Sequence, residues 1–90
     1  MTSGKYVGEG LPGVVKRLGG VWDYAHDSGF IPTTFERAVE IANKIPLSVG
    51  KHIMELDVDG LYLRAFNMKD QKWNVLKNGL KKQAQKKREE

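Results

Sequence analysis

The sequence contains no cysteine and only three prolines among its 90 residues, and aromatic residues make up 9% of it. Without cysteine, disulfides, thiolate metal sites and cysteine nucleophiles are excluded, so the fold must rest on packing alone. No run of about 18 apolar residues exists, which argues against a transmembrane helix. The opening stretch MTSGKYVGEGLPG lacks the basic and then apolar layout of a secretory signal. We therefore expect a cytoplasmic protein without a membrane span.

The length and the 40% hydrophobic content fit one compact domain, because a chain of this size buries only roughly 60–65% of its unfolded surface. Residues 1–10 hold little apolar material and are expected to be flexible. Residues 11–80 are predicted to form a compact α+β domain. Residues 81–90 are predicted to be a basic tail that projects or frays, because only Ala84 is apolar there. The oligomeric state is not encoded in any recognisable pattern.

Positive charge is concentrated at one end of the chain. The net charge is +4, yet Met68 to Glu90 holds eight basic and three acidic residues, whereas Met1 to Asn67 holds seven basic and eight acidic ones. A polyanion attracted by net charge would therefore meet the C-terminal segment first.

The first half of the chain predicts two helices. An N-terminal helix is expected from Pro12, which suits a first helical position, to a stop at Ser28–Gly29. The doublet Gly19–Gly20 could split this helix in two, since each glycine costs about 1 kcal/mol against alanine. A second helix is predicted over Thr33 to Ile45, because Thr33 and Glu36 have the spacing of a capping box.

The second half predicts a two-stranded antiparallel β-hairpin and a third helix. HIMELDV and LYLRAF alternate on either side of DG, which indicates a hairpin with Asp59–Gly60 as its turn. In that register Leu56 faces Leu63, and Glu55 faces Arg64 on the opposite side. The capped helix is expected to pack on the apolar side.

The last helix is expected to begin after Asn67, with Asp70 in its first turn and an apolar stripe formed by Trp73, Leu76 and Leu80. The predicted fold class is thus α+β, with three helices around one hairpin in a single small domain.

The basic end of this last helix is the leading candidate for a functional site. Ammonium groups presented to solvent can neutralise phosphates, with binding driven largely by counterion release. We therefore predict a small, non-enzymatic nucleic-acid-binding accessory protein that contacts the phosphates of DNA or RNA. Its predicted contact residues are Lys77, Lys81, Lys82, Lys86, Lys87 and Arg88. A solubilising helix end that complements the helix dipole is the plainer interpretation of the same residues.

An adaptor or inhibitor that docks on a partner protein is the alternative function. The outer face of the hairpin would present Tyr62, Arg64 and Phe66, which are residue types enriched among interface anchors. The basic, amphipathic C-terminal helix could instead lie in an acidic, apolar groove of a partner.

Two further patterns carry weaker signals. The order of elements resembles a winged helix-turn-helix, but its recognition helix would bring Glu36 and Glu40 toward phosphates. The segment WDYAHD places Asp23, His26 and Asp27 at spacings compatible with metal ligation. Such residues are common on helix surfaces, so we predict no catalytic site, metal or cofactor.

Overall fold

The computed structural model describes residues 10–45 and 52–89, with side chains described up to residue 87. These ranges contain three helices and four strands. In chain order they are α1 (Gly10–Arg17), β1 (Val21–Asp23), β2 (Ser28–Pro32), α2 (Phe35–Lys44), β3 (His52–Asp57), β4 (Gly60–Ala65) and α3 (Asp70–Glu89).

The four strands form one antiparallel sheet in the order β1-β2-β4-β3. Helices α1 and α2 cover one face of the sheet, and α3 covers the other. The predicted α+β class is compatible with this architecture. The predicted two-stranded sheet is wrong, because β1 and β2 extend the hairpin on its β4 side.

The two missed strands lie where one long N-terminal helix was predicted. Helix α1 ends at Arg17, and Gly19 then takes a φ of +86°, which reverses the chain into β1. In the sequence Trp22 follows Leu18 at the spacing of a helix, but in the structure it reaches the core from a strand. Strand β2 pairs with β4 across 27 to 33 intervening residues, from Pro32 opposite Gly60 to Gly29 opposite Leu63. A pairing that distant leaves no local signal in the sequence.

Helix α2 is confirmed, but its cap lies one residue later than predicted. Thr34 is the N-cap, and its hydroxyl accepts a hydrogen bond from the Arg37 backbone N–H at 3.2 Å. The expected Thr33–Glu36 capping box is therefore wrong. The Thr33 N–H instead donates to the Asp59 carbonyl, which ties the start of α2 to the hairpin turn.

The hairpin is present, with its turn one residue earlier than predicted. Val58 and Asp59 form the turn, and Gly60 pairs with Asp57 as the first residue of β4. Gly60 has a φ of +150°, and a Cβ there would collide with the Ile31 carbonyl oxygen of β2. Moving the turn by one residue moves every partner by two, so the predicted sides of the sheet are retained.

Each face of the sheet has its own core. Between the sheet and helices α1 and α2 the core is mainly aliphatic, and Trp22 is its only large aromatic residue among those described. Helix α2 packs there on the apolar side of the hairpin, as predicted. Beneath α3 the core is aromatic and contains Phe30, Tyr62 and Trp73. Helix α3 stays in contact beyond the predicted last contact, Leu80, because Ala84 is also buried. Over the described ranges, no helix combines the length and apolar character needed to cross a membrane.

Candidate functional site

Helix α3 is held on the sheet by a cluster of three aromatic rings. Phe30 stacks on Tyr62 with ring centroids 4.3 Å apart, and Tyr62 meets Trp73 edge-on at 5.8 Å. Offset and edge-to-face pairs of this kind add about 0.5–1.5 kcal/mol beyond the burial of their area. The rings therefore fix which side of α3 faces the sheet and which side faces outward.

The side of α3 next to β3 and β4, which we call the hairpin flank, consists of paired charges. Lys77 Nζ lies 3.0 Å from Glu55 Oε2, and Lys81 forms a short ion pair with Asp59. Trp73 Nε1 also donates to Glu55 Oε2 at 3.2 Å. The hydrogen bond to Asp59 raises the pKa of Lys81 above its usual value. These carboxylates come from the hairpin, so the two lysines tie α3 to the sheet.

The residues predicted as a partner-binding face are separated by the fold. Tyr62 is 1% exposed beneath α3, and burial, together with nearby carboxylates of the hairpin, raises its pKa to about 12. Arg64 Nη2 donates to the Met68 carbonyl at 2.7 Å and to Asp70 Oδ1 at 2.6 Å. Phe66 remains 66% exposed. Helix α3 thus packs on the outer side of the hairpin, and Tyr62 is not available to a partner.

The outward side of α3, which we call the outer face, has the opposite electrostatic character. Between residues 71 and 88 the helix has no carboxylate. The side chains of Lys72, Lys82 and Lys86 are exposed and, like that of Lys69 just before the helix, form no hydrogen bond or ion pair within the described ranges. The outer face is therefore an uncompensated cationic surface about 21 Å long from Lys72 to Lys86, at 1.5 Å per residue.

The six residues predicted to contact phosphates lie in different surroundings in the structure. Lys77 and Lys81 are engaged on the hairpin flank. Lys87 donates to the Gly20 carbonyl oxygen at 3.0 Å, next to β1. Lys82 and Lys86 point outward. The side chain of Arg88 lies outside the described part of the chain.

A groove runs along the side of α3 opposite the hairpin flank, and we call this side the groove flank. It contains two adjoining cavities of about 540 and 470 Å³ between α3 and the turn that joins β1 to β2. Both are lined by His26, Gln71 and Lys72. The first is completed by Ala65, Asn67, Met68 and Lys69, and the second by Val75, Leu76 and Gly79. The floor is apolar and the rim is cationic.

Gly79 is an unusual residue for the middle of this helix. A Cβ at this position would meet no atom within 4 Å, so packing does not require glycine there. Glycine inside a helix costs about 1 kcal/mol relative to alanine. Its effect is to lower the floor of the groove and expose the helix backbone.

The β1–β2 turn that forms the other wall is fixed at several points. Asp23 Oδ1 accepts the backbone N–H groups of Ala25 and His26, and its Oδ2 lies 3.0 Å from His26 Nδ1. The buried Ser28 hydroxyl donates to the His26 carbonyl and accepts the Ala65 N–H. These hydrogen bonds hold the turn in place, so it forms a well-defined wall of the groove.

The residues weighed as metal ligands in WDYAHD belong to this turn. His26 pairs with Asp23, whereas Asp27 pairs with His52 at 3.1 Å. Within residues 10–45 and 52–89, no three histidine or carboxylate side chains converge as metal ligands.

Sequence reasoning found the cationic helix but missed the groove. The lone glycine at position 79 in an otherwise helical pattern was the available signal. The contribution of His26 could not be inferred, since the turn that carries it was assigned to a helix. No family model, curated protein or solved structure matches this chain.

Proposed function

We propose that this protein binds nucleic acid through the phosphates, using the outer face of α3. The observation that carries the proposal is the absence of any carboxylate between residues 71 and 88, combined with lysines whose side chains have no partner among the described residues. The proposed contacts are Lys69, Lys72, Lys82 and Lys86. Lys77 and Lys81 are assigned to the stability of the fold.

The neighbours of these lysines support the same chemistry. Gln71, Asn74, Asn78 and Gln83 are exposed on α3 and supply uncharged hydrogen-bond donors. Amide and ammonium donors on one carboxylate-free surface suit phosphate and sugar oxygens. Lysine rather than arginine supplies the charge, which favours contact with the backbone over bidentate base recognition.

The paired hairpin flank argues for contact on the other sides of α3. Glu55 and Asp59 are near-neighbours of Lys77 and Lys81, so a phosphate approaching there meets nearly balanced charge. We assign the protein an accessory role because it is small and because the described outer face of α3 offers ammonium and amide groups that suit phosphate contacts. The sequence predicted six phosphate contacts. The proposal has four, of which only Lys82 and Lys86 were among those six.

The test is the salt dependence of binding to a fluorescently labelled single strand, measured by anisotropy. If four phosphates are neutralised, the log-log slope is about −3, because each contact on a single strand contributes about −0.7. The double variant Lys82→Gln with Lys86→Gln should reduce the slope to about −1.4.

The matched control is Lys77→Gln with Lys81→Gln, which removes the same total charge from the same helix. It should change the slope by less than half as much, because these lysines are already paired. Equal losses of slope in both double variants would show that only net charge matters. No binding by the wild type at low salt would refute the proposal and redirect the search to protein partners.

A further inference from the structure

We infer that the groove on the groove flank of α3 holds an unpaired base of a single-stranded nucleic acid. This inference rests on the proposed function and specifies the form of nucleic acid that the protein prefers. It is carried by the position of the groove, by the chemistry of its lining and by Gly79.

The lining of the groove suits an aromatic base attached to a phosphate backbone. Val75, Leu76 and Gly79 provide an apolar floor, and Gln71 and His26 provide polar groups at its edge. Such a floor with a few polar groups is typical of small-molecule sites, and each cavity falls in their size range. Val75 is 75% exposed, so a planar group laid against it would remove apolar surface from water.

Charge complementarity identifies the backbone that accompanies the base. Lys69 and Lys72 lie at the rim, with no ion-pair partner among the described residues. Both carboxylates of the turn that forms the wall are engaged: Asp23 is held by His26 and two backbone N–H groups, and Asp27 pairs with His52. A base in the groove would thus place its neighbouring phosphates beside the two free lysines.

Gly79 is the second, independent observation. Glycine weakens the helix, and no other residue of the described chain occupies the space above it. Close approach of another group to the backbone explains a glycine in such a place. The stacked base is that group, and any side chain at position 79 would intrude on it.

A groove that holds one base also determines whether the nucleic acid is bound as a single strand or as a duplex. A base in a duplex has its faces stacked and its edge paired, so it cannot enter a groove in the protein without leaving the helix. Single strands present unstacked bases, and any base face can lie against the apolar floor because burial of apolar surface is not directional. We expect the protein to bind a single strand more tightly than a duplex of the same sequence.

The experiment compares a labelled oligothymidine with an abasic sugar-phosphate strand of the same length, using the full chain and anisotropy at fixed low salt. The wild type should bind the thymidine strand about tenfold more tightly, because the base covers apolar surface that the abasic strand leaves in water. Gly79→Leu should lower affinity for oligothymidine to the abasic level, while affinity for the abasic strand stays the same.

Two milder variants separate the groove from helix stability. Gly79→Ala and the control Asn43→Ala, at an exposed position of α2, both improve helix propensity and should raise the melting temperature by about 4 °C. Only Gly79→Ala should weaken binding of oligothymidine, because Asn43 lies on the opposite face of the sheet from α3.

The outcomes separate this inference from the proposed function. If the wild type binds both strands equally and with the predicted salt dependence, the base-binding inference is wrong and phosphate binding stands. If neither strand binds at low salt, both fail. If Gly79→Leu lowers affinity for both strands alike, the groove does not recognise the base.

Discussion

The two flanks of α3 carry the same residue types but differ in what surrounds them. On the hairpin flank, Lys77 and Lys81 meet Glu55 and Asp59 from the adjacent strands. On the groove flank, Lys69 and Lys72 border an open cavity and have no partner among the described residues. The function of a lysine in this helix is therefore set by residues distant in the sequence.

This difference follows from the asymmetric sheet. Strands β3 and β4 lie at one side and bring a hairpin with three carboxylates close to α3. Strands β1 and β2 lie at the other side and bring a short turn, whose two carboxylates pair with histidines. One flank can thus serve as an anchor while the other is left free for a ligand.

The largest expected effect comes from removing the aromatic anchor of α3. Trp73→Ala deletes a ring that is 2% exposed, together with its hydrogen bond to Glu55. Loss of such a ring should lower the free energy of unfolding by about 3–5 kcal/mol, measured by urea denaturation.

Trp73→Phe is the matched control. It retains a ring and loses mainly the Nε1 hydrogen bond, so the loss should be about 1 kcal/mol. A cost for Trp73→Ala no greater than that for Trp73→Phe would show that α3 is not held by this ring.

A smaller effect should appear at high pH, because Tyr62 lies under the hairpin-flank carboxylates. Its pKa is raised from 10.0 to about 12 by burial and by Asp57, Asp59 and Glu55. A raised pKa stabilises the folded state below pH 10, and this stabilisation is lost as the pH rises to 12. The wild type should therefore lose about 2 kcal/mol more than Tyr62→Phe between pH 10 and pH 12.

Urea denaturation at pH 8, 10, 11 and 12 measures this difference directly. Tyr24→Phe, at an exposed tyrosine, controls for the loss of one phenol. Parallel pH profiles for the wild type and Tyr62→Phe would mean that the phenol is not buried against the hairpin flank.

The parts of the fold that the sequence predicted are those with local signals. Helix α2 begins with a threonine cap and has a regular apolar face, and the last helix has its stripe at Trp73, Leu76 and Leu80. The alternation around Asp59–Gly60 identified the hairpin and its faces, although not the turn. Each of these patterns spans fewer than twenty residues.

The parts that were missed depend on distant contacts. Strand β1 has three residues, and β2 is fixed by pairing with β4. In the sequence, Val21 and Trp22 continue the helical spacing of Val14 and Leu18. This is why one long helix was predicted where the structure has a short helix and two strands. The site was limited in the same way. The basic residues were visible, but the carboxylates that engage Lys77 and Lys81 become neighbours only in the folded chain.

The division of the lysines can be measured as stability, using the two double variants Lys77→Gln/Lys81→Gln and Lys82→Gln/Lys86→Gln in urea denaturation at low salt. Because the paired lysines link α3 to the hairpin, the first variant should lose about 1 kcal/mol of unfolding free energy. The second should stay within about 0.5 kcal/mol of the wild type. Equal losses, or a larger loss in the second variant, would contradict the assignment of one lysine pair to the fold and the other to a ligand.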